Sequence, residues 1–252
     1  MKHDPIIGPA GRSLKTRTPL WRRAVAIAGK LLVGLLVFVG IVTGWLWWEI
    51  EADRRAPLPD PALPQGTCAL WFVGSSSMHK WITLTPDMRP WIAHNRGVNG
   101  AGINYLAGRF SAQDRATPAP SAIVLYGGEN DIAVGTSVAD TLNGVRRLIR
   151  LKTEMYGALP VFLLSIKPSP TRWRFLPQQT QLNAALRRMA ANRADLHYVD
   201  IVPQMLVNGR PGPWYQADGI HLNRTGYRRW AKVLHGALAH DLPARTVARC
   251  AR

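Results

Sequence analysis

The hydropathy pattern changes character once along the chain. Residues 31–48 read LLVGLLVFVGIVTGWLWW, an apolar run without a charge, and AVAIAG ahead of Lys30 extends it back to position 24. About 20 apolar residues in a helix match a hydrocarbon core of about 30 Å. Lys30 is long enough to snorkel to an interface, and Trp45, Trp47 and Trp48 cluster at the end of the run as interfacial aromatics do. A buried core helix would need an apolar partner, and the next segment offers none. The pattern predicts a transmembrane helix over residues 24–48. Residues 49–67 follow as a linker, with RRAPLPDPALPQGT at 54–67 rich in proline and free of helical or strand periodicity.

From Cys68 onward short apolar runs alternate with amphipathic stretches. Strand-like runs fall at 68–73, 122–126, 161–166 and 196–201, with a weaker one near 91–98. Helical periodicity covers 138–155, where Val138, Leu142, Val145, Leu148 and Leu151 share a face. It returns over 177–191, behind a proline start, and over 223–240, with Asn223 as N-cap. Strands alternating with helices predict a parallel sheet covered by helices on both faces, in one domain over 68–252.

Charge adds an orientation. The net charge is +17. Lys2, Arg12, Lys15, Arg17, Arg22 and Arg23 precede the apolar run, whereas Glu49, Glu51 and Asp53 offset Arg54 and Arg55 after it. The positive-inside rule keeps residues 1–23 in the cytoplasm and exports the rest. No A-x-A-like site follows the run, so an uncleaved anchor is expected rather than a signal peptide. Lys and Arg are not interleaved with aromatics in the globular part, so no nucleic-acid partner is expected. Cys68 and Cys250 fit neither a zinc spacing nor a CxxC pair. They bracket the domain, either as a disulfide joining its ends in an oxidising compartment or as two free thiols.

Candidate chemistry collects where the predicted strands end, as it does in open α/β sheets. Gly74-Ser75-Ser76 follows the first strand, GVNGAG (97–102) the second and YGGENDIA (126–133) the third. A serine at the start of a helix meets free backbone N–H groups that favour negative charge. Asp218 and His221, three residues apart ahead of the last helix, can supply an orienting carboxylate and a base. Gly100 can offer a backbone N–H and Asn130 a side-chain amide to an oxyanion. The α/β-hydrolase elbow G-x-S-x-G is excluded, because Met78 stands where its last glycine belongs. Lys167, Arg172 and Trp173 in KPSPTRW (167–173) are candidates for substrate contact, and His79 and Trp81 lie one turn past the serine, but none is assigned to the site.

In this order the blocks resemble the SGNH hydrolases, the GDSL lipase/esterase family, over about residues 68–236. The resemblance rests on Gly74-Ser75-Ser76, on Gly100 within NRGVNG, on Gly128-Glu129-Asn130-Asp131, and on Asp218-x-x-His221. Ser75 replaces the aspartate of the family's namesake Gly-Asp-Ser, which is not the triad acid. The resemblance implies a flavodoxin-like three-layer α/β/α domain with a five-stranded parallel sheet. It implies Ser76, His221 and Asp218 as catalytic triad, an oxyanion hole from Ser76, Gly100 and Asn130, and acyl transfer through a serine ester with no metal or other cofactor. The expected substrate is an ester of a lipid, an acylated sugar or a small molecule. With the anchor, these features predict an esterase on the bacterial inner membrane with its catalytic domain in the periplasm. An acyltransferase acting on a cell-envelope glycan and a non-catalytic glycan- or lipid-binding module on the same scaffold are the alternatives.

Overall fold

The computed structural model describes residues 20–59 and 68–250. Contacts divide the chain into two units, one ending at Ala52 and one beginning at Asp53.

The first unit is dominated by α1 (Leu20–Arg55), 36 residues long. Within it Ile27–Asp53 has a mean hydropathy of 2.2 and is long and apolar enough to cross a membrane. Its leucines, isoleucines and tryptophans are exposed on every side of the helix. The helix outlasts the expected end at position 48, because Glu49, Ile50, Glu51 and Ala52 carry no helix breaker. It stops at Arg55 because Pro57 disfavours the helical conformation at Ala56. Residues 60–67 of the expected linker, and the basic segment before position 20, lie outside the described residues.

The second unit runs β1 (Ala69–Gly74), α2 (Ser76–His79), α3 (Leu84–Asp87), β2 (Ile92–Gly97), α4 (Ile103–Ser111), β3 (Ala122–Tyr126), α5 (Glu129–Ala133) and α6 (Val138–Tyr156). It continues with β4 (Val161–Leu164), α7 (Leu176–Ala191), β5 (Leu196–Val199), α8 (Val202–Met205), the two-residue strands β6 (Leu206–Val207) and β7 (Arg210–Pro211), α9 (Arg224–Asp241) and α10 (Ala244–Cys250). The five long strands form one parallel sheet in the order β2-β1-β3-β4-β5. β1, β3 and β4 are buried throughout, as parallel strands between two helical layers must be, which is why they read as unbroken apolar runs.

Helix α9 buries Tyr227, Trp230, Ala231, Leu234 and Leu238, a helical stripe, and Asn223 caps it by accepting from the Gly226 N–H at 3.0 Å. Trp81, just after the nucleophile candidate, packs inside this layer. Its ring stacks on Tyr227 at 5.1 Å and meets Phe72 and Trp230 edge-on.

Cys68 and Cys250 form a disulfide with sulfurs 2.06 Å apart, which resolves the alternative left open by the sequence and closes the whole sheet inside one covalent loop. The stretch that follows α1 also belongs to this unit. Leu58 is 1% exposed in the core, and Arg109 donates from Nε and Nη2 to the Pro57 carbonyl at 3.1 and 2.8 Å.

Candidate active site

The chain leaves β1 towards β2 on one side and leaves β3 towards β4 on the other, so the carboxyl edge between β1 and β3 is a topological switch point, where ligands bind in such sheets. The turn after β1 is fastened on both sides. The Val98 N–H donates to the Gly74 carbonyl at 2.8 Å, and the Ser75 N–H donates to the Tyr126 carbonyl at 3.2 Å. A Cβ at Gly74 would lie 2.4 Å from that Tyr126 oxygen and 2.6 Å from Met78 Cγ, so only glycine fits. Ser76 therefore begins α2 at a fixed point, 7% exposed. Tyr227 of α9 donates to the Ser77 carbonyl at 2.9 Å and ties the last helix to this turn.

Asp218 and His221 meet Ser76 from the loop ahead of α9. His221 Nε2 is 2.9 Å from Ser76 Oγ and His221 Nδ1 is 2.5 Å from Asp218 Oδ2. An ionised carboxylate only accepts, so Nδ1 carries the proton and Nε2 is left to accept from the serine hydroxyl. Asp218 Oδ1 accepts the Ile220 and His221 N–H groups at 2.9 Å each. Partial burial pushes its pKa up, but hydrogen bonds from His221 and from these two amides outweigh that and hold it well below the usual carboxylate range. Thr171 braces the loop, donating from Oγ1 to the Asp218 carbonyl at 2.7 Å and from its N–H to Gly219.

Gly100 lies on the loop after β2, and Asn130 in the first turn of α5 after β3, the two strands flanking β1. The Ala101 N–H donates to the Val98 carbonyl at 3.3 Å, which makes Gly100 the third residue of a tight turn, and its φ is +71°. That conformation favours glycine. Asn130 Nδ2 donates to the Ala101 carbonyl at 3.0 Å, so the start of α5 is joined to that loop next to Gly100. Asp131 adds a second tie. Its carboxylate accepts the Ile103 N–H, the first of α4, and burial raises its pKa. The serine, histidine and aspartate are thus brought into one chain of hydrogen bonds, and the asparagine is tied at the same sheet edge to Ala101, the residue after the glycine.

Two features escaped the sequence reading. Lys80 Nζ lies 3.2 Å from His221 Nδ1. Both groups are donors, so the contact places a positive charge beside the His221–Asp218 pair rather than adding a hydrogen bond. Its signal was the four-residue step from Ser76, one helical turn. The second is a buried ion cluster behind Asn130. Lys167 Nζ is 2.6 Å from Glu129 Oε2, Tyr126 donates to the same oxygen at 2.5 Å, and Arg172 Nη1 is 3.3 Å from Glu129 Oε1. Burial opposes ionisation of Glu129, but Lys167 and Arg172 outweigh it and lower its pKa. Lys167, a candidate for substrate contact, is fully buried on Glu129.

A five-stranded parallel sheet between helical layers, in the order β2-β1-β3-β4-β5, defines the fold as flavodoxin-like α/β/α. The model of the GDSL-like lipase/acylhydrolase family matches residues 71–229, and the chain belongs to that family. No curated protein sequence matches the chain. Among solved structures, one of a Streptococcus pneumonia protein provisionally named a platelet activating factor is 22% identical, with a TM-score of 0.65 over 81% of this chain and 99% of that one. A Bacteroides fragilis protein provisionally described as an acylhydrolase is 22% identical, with a TM-score of 0.62 over 77% of this chain and 95% of that one. A family 3 carbohydrate esterase of Clostridium thermocellum is 15% identical, with a TM-score of 0.56 over 72% of this chain and all of its own. At these identities the likeness is one of fold.

Proposed function

We propose that this acylhydrolase-family chain is a serine esterase that works through Ser76, His221 and Asp218. The observation that carries the reading is the hydrogen-bonded line from Asp218 through His221 to Ser76 Oγ. Ser76 Oγ attacks the ester carbonyl carbon while His221 Nε2 takes the hydroxyl proton. Asp218 holds the imidazole tautomer and stabilises the imidazolium. The carbonyl oxygen becomes an oxyanion among the N–H groups of Ser76 and Gly100 and the Asn130 amide. Each such donor is worth about 3–4 kcal/mol to the transition state. The tetrahedral species collapses, the C–O bond to the alcohol breaks, and His221 returns the proton to the leaving alkoxide. Water, deprotonated by the same histidine, then cleaves the acyl-serine and frees the acid.

We also infer that α1 anchors the enzyme in a bacterial inner membrane with the catalytic unit on the periplasmic side. The length and hydropathy of Ile27–Asp53, the basic residues before it and the Cys68–Cys250 disulfide support that placement. The experiment for the activity is hydrolysis of p-nitrophenyl esters of increasing chain length by the full chain in detergent, beside Ser76→Ala. Turnover lost in the variant supports the reading, and equal turnover in both overturns it.

A further inference from the structure

A cavity of about 520 Å³ adjoins Gly100, within the usual range for small-ligand sites. It is lined by Val98–Gly102, Tyr105, Arg109 and Asp53. A Cβ at Gly100 would meet nothing within 4 Å, so the space opens directly at the glycine expected to face the reacting carbonyl. Val98 and Ala101 are the only aliphatic side chains in the lining, which gives an acyl tail little to bury against. The remaining side chains supply the Asp53 carboxylate, the Asn99 amide, the Tyr105 phenol and the Arg109 guanidinium, which Asp53 neutralises, a set that pairs with hydroxyl groups as donor and acceptor and offers a flat apolar face.

The carboxylate is held in place. Arg109 Nη1 is 3.0 Å from Asp53 Oδ1, Tyr105 donates to Asp53 Oδ2, and the same Arg109 is fixed by its two bonds to the Pro57 carbonyl. The Asp53 side chain is still 60% exposed, so it keeps acceptor sites open. Asp53, in the last turn of α1, and Pro57 are therefore held by side chains of α4 and are not part of a free spacer. A polar group fixed in advance binds with less ordering cost than one on a free linker.

We infer that this cavity holds the polyhydroxylated, sugar-like alcohol part of the ester, with Asp53 in the last turn of α1 and Asn99 as its recognition groups. The inference rests on the esterase reading and narrows its substrate class. A site built to bond hydroxyl groups discriminates strongly against an analogue that lacks them.

The test compares acetate release from 6-O-acetylglucose, monoacetin and ethyl acetate, all of which leave as alkoxides, by the full chain in detergent. The expected result is a kcat/KM for the sugar ester at least tenfold above that for ethyl acetate, with monoacetin between them. Asp53→Asn and Asn99→Ala, each made separately, should lower the sugar-to-ethyl ratio about tenfold through KM. A ratio near one in the parent enzyme, or one unmoved by both variants, overturns the inference while leaving the esterase intact. If monoacetin matches the sugar ester, the cavity is a glycerol site and the sugar assignment falls. Inertness toward all three esters with Ser76 never acylated would sink the esterase reading itself, and this inference with it.

Discussion

Cutting the Cys68–Cys250 bond should lower the stability of the catalytic unit more than any single side-chain contact in it. The two cysteines are 182 residues apart, so the bond closes a loop that contains every strand. In the chain-entropy treatment a loop of that length is worth about 5 kcal/mol at 25 °C. For a domain of this size each kcal/mol moves the melting temperature by about 2–4 °C, which gives an expected fall of about 10–20 °C. The perturbation is the double variant Cys68→Ser/Cys250→Ser, which leaves no stray thiol, beside the parent protein with and without reductant. The assay is thermal unfolding of the full chain in detergent by circular dichroism, with thiol alkylation confirming the redox state. Cys68 precedes the amino end of β1 and Ser76 follows its carboxyl end, so kcat at 25 °C should hold while the melting point falls. A shift under about 2 °C with both thiols free would refute the entropic argument. It would mean that the ends of the unit are already held together by packing of Cys250 and its helix.

Asp218→Asn should leave His221 without its acceptor and reduce kcat by up to about 10⁴-fold with an unchanged melt; a loss under tenfold would remove Asp218 from the mechanism. Gly100→Ala forces a side chain into a left-handed turn at a cost of about 1–2 kcal/mol, yet its methyl points into open space. A small drop in melting point with at least a tenfold drop in kcat is expected, and full activity would place the oxyanion elsewhere. Asp195 is pulled down to about 2 by its hydrogen bond from Arg193, against a partial burial that raises it, and by Lys152. Its folded pKa lies below its unfolded one, so its contribution is complete above about pH 4 and is lost as pH falls towards 2. The stability gap between the parent and Asp195→Asn should include about 2 kcal/mol that disappears across that window, and a gap constant from pH 6 to pH 2.5 in urea melts would contradict the assignment.

Much of the fold was legible because its signals are local. The runs at 122–126 and 161–164 are apolar throughout since both faces of the sheet are covered; Ser76 and Asn130 stand out because each follows such a run, whereas Gly100 follows the weaker and partly polar β2. Asp218 and His221 carry their own three-residue spacing. The features that escaped depend on partners distant in sequence. Lys167 sits in a loop with every mark of solvation, and only Glu129, 38 residues earlier, makes its burial tolerable. Leu58 lies in a proline-rich stretch without periodicity, and it is drawn into the core by contacts that Arg109 makes 52 residues away with Pro57. The disulfide depends on where 182 residues of folding leave the two ends. Helix α1 ran past its expected end because the hydropathy signal stops at Trp48 while helix propensity continues to Arg55, two residues before Pro57.

The measurement that bears most directly on the proposed activity is the site of acylation. The full chain in detergent is mixed with p-nitrophenyl acetate, quenched within a turnover and digested, and the acetylated peptide is located by mass spectrometry. The account predicts a burst of nitrophenol and an acetyl group on Ser76, both absent from Ser76→Ala. Acetyl on another residue, or undiminished turnover by the variant, would contradict it.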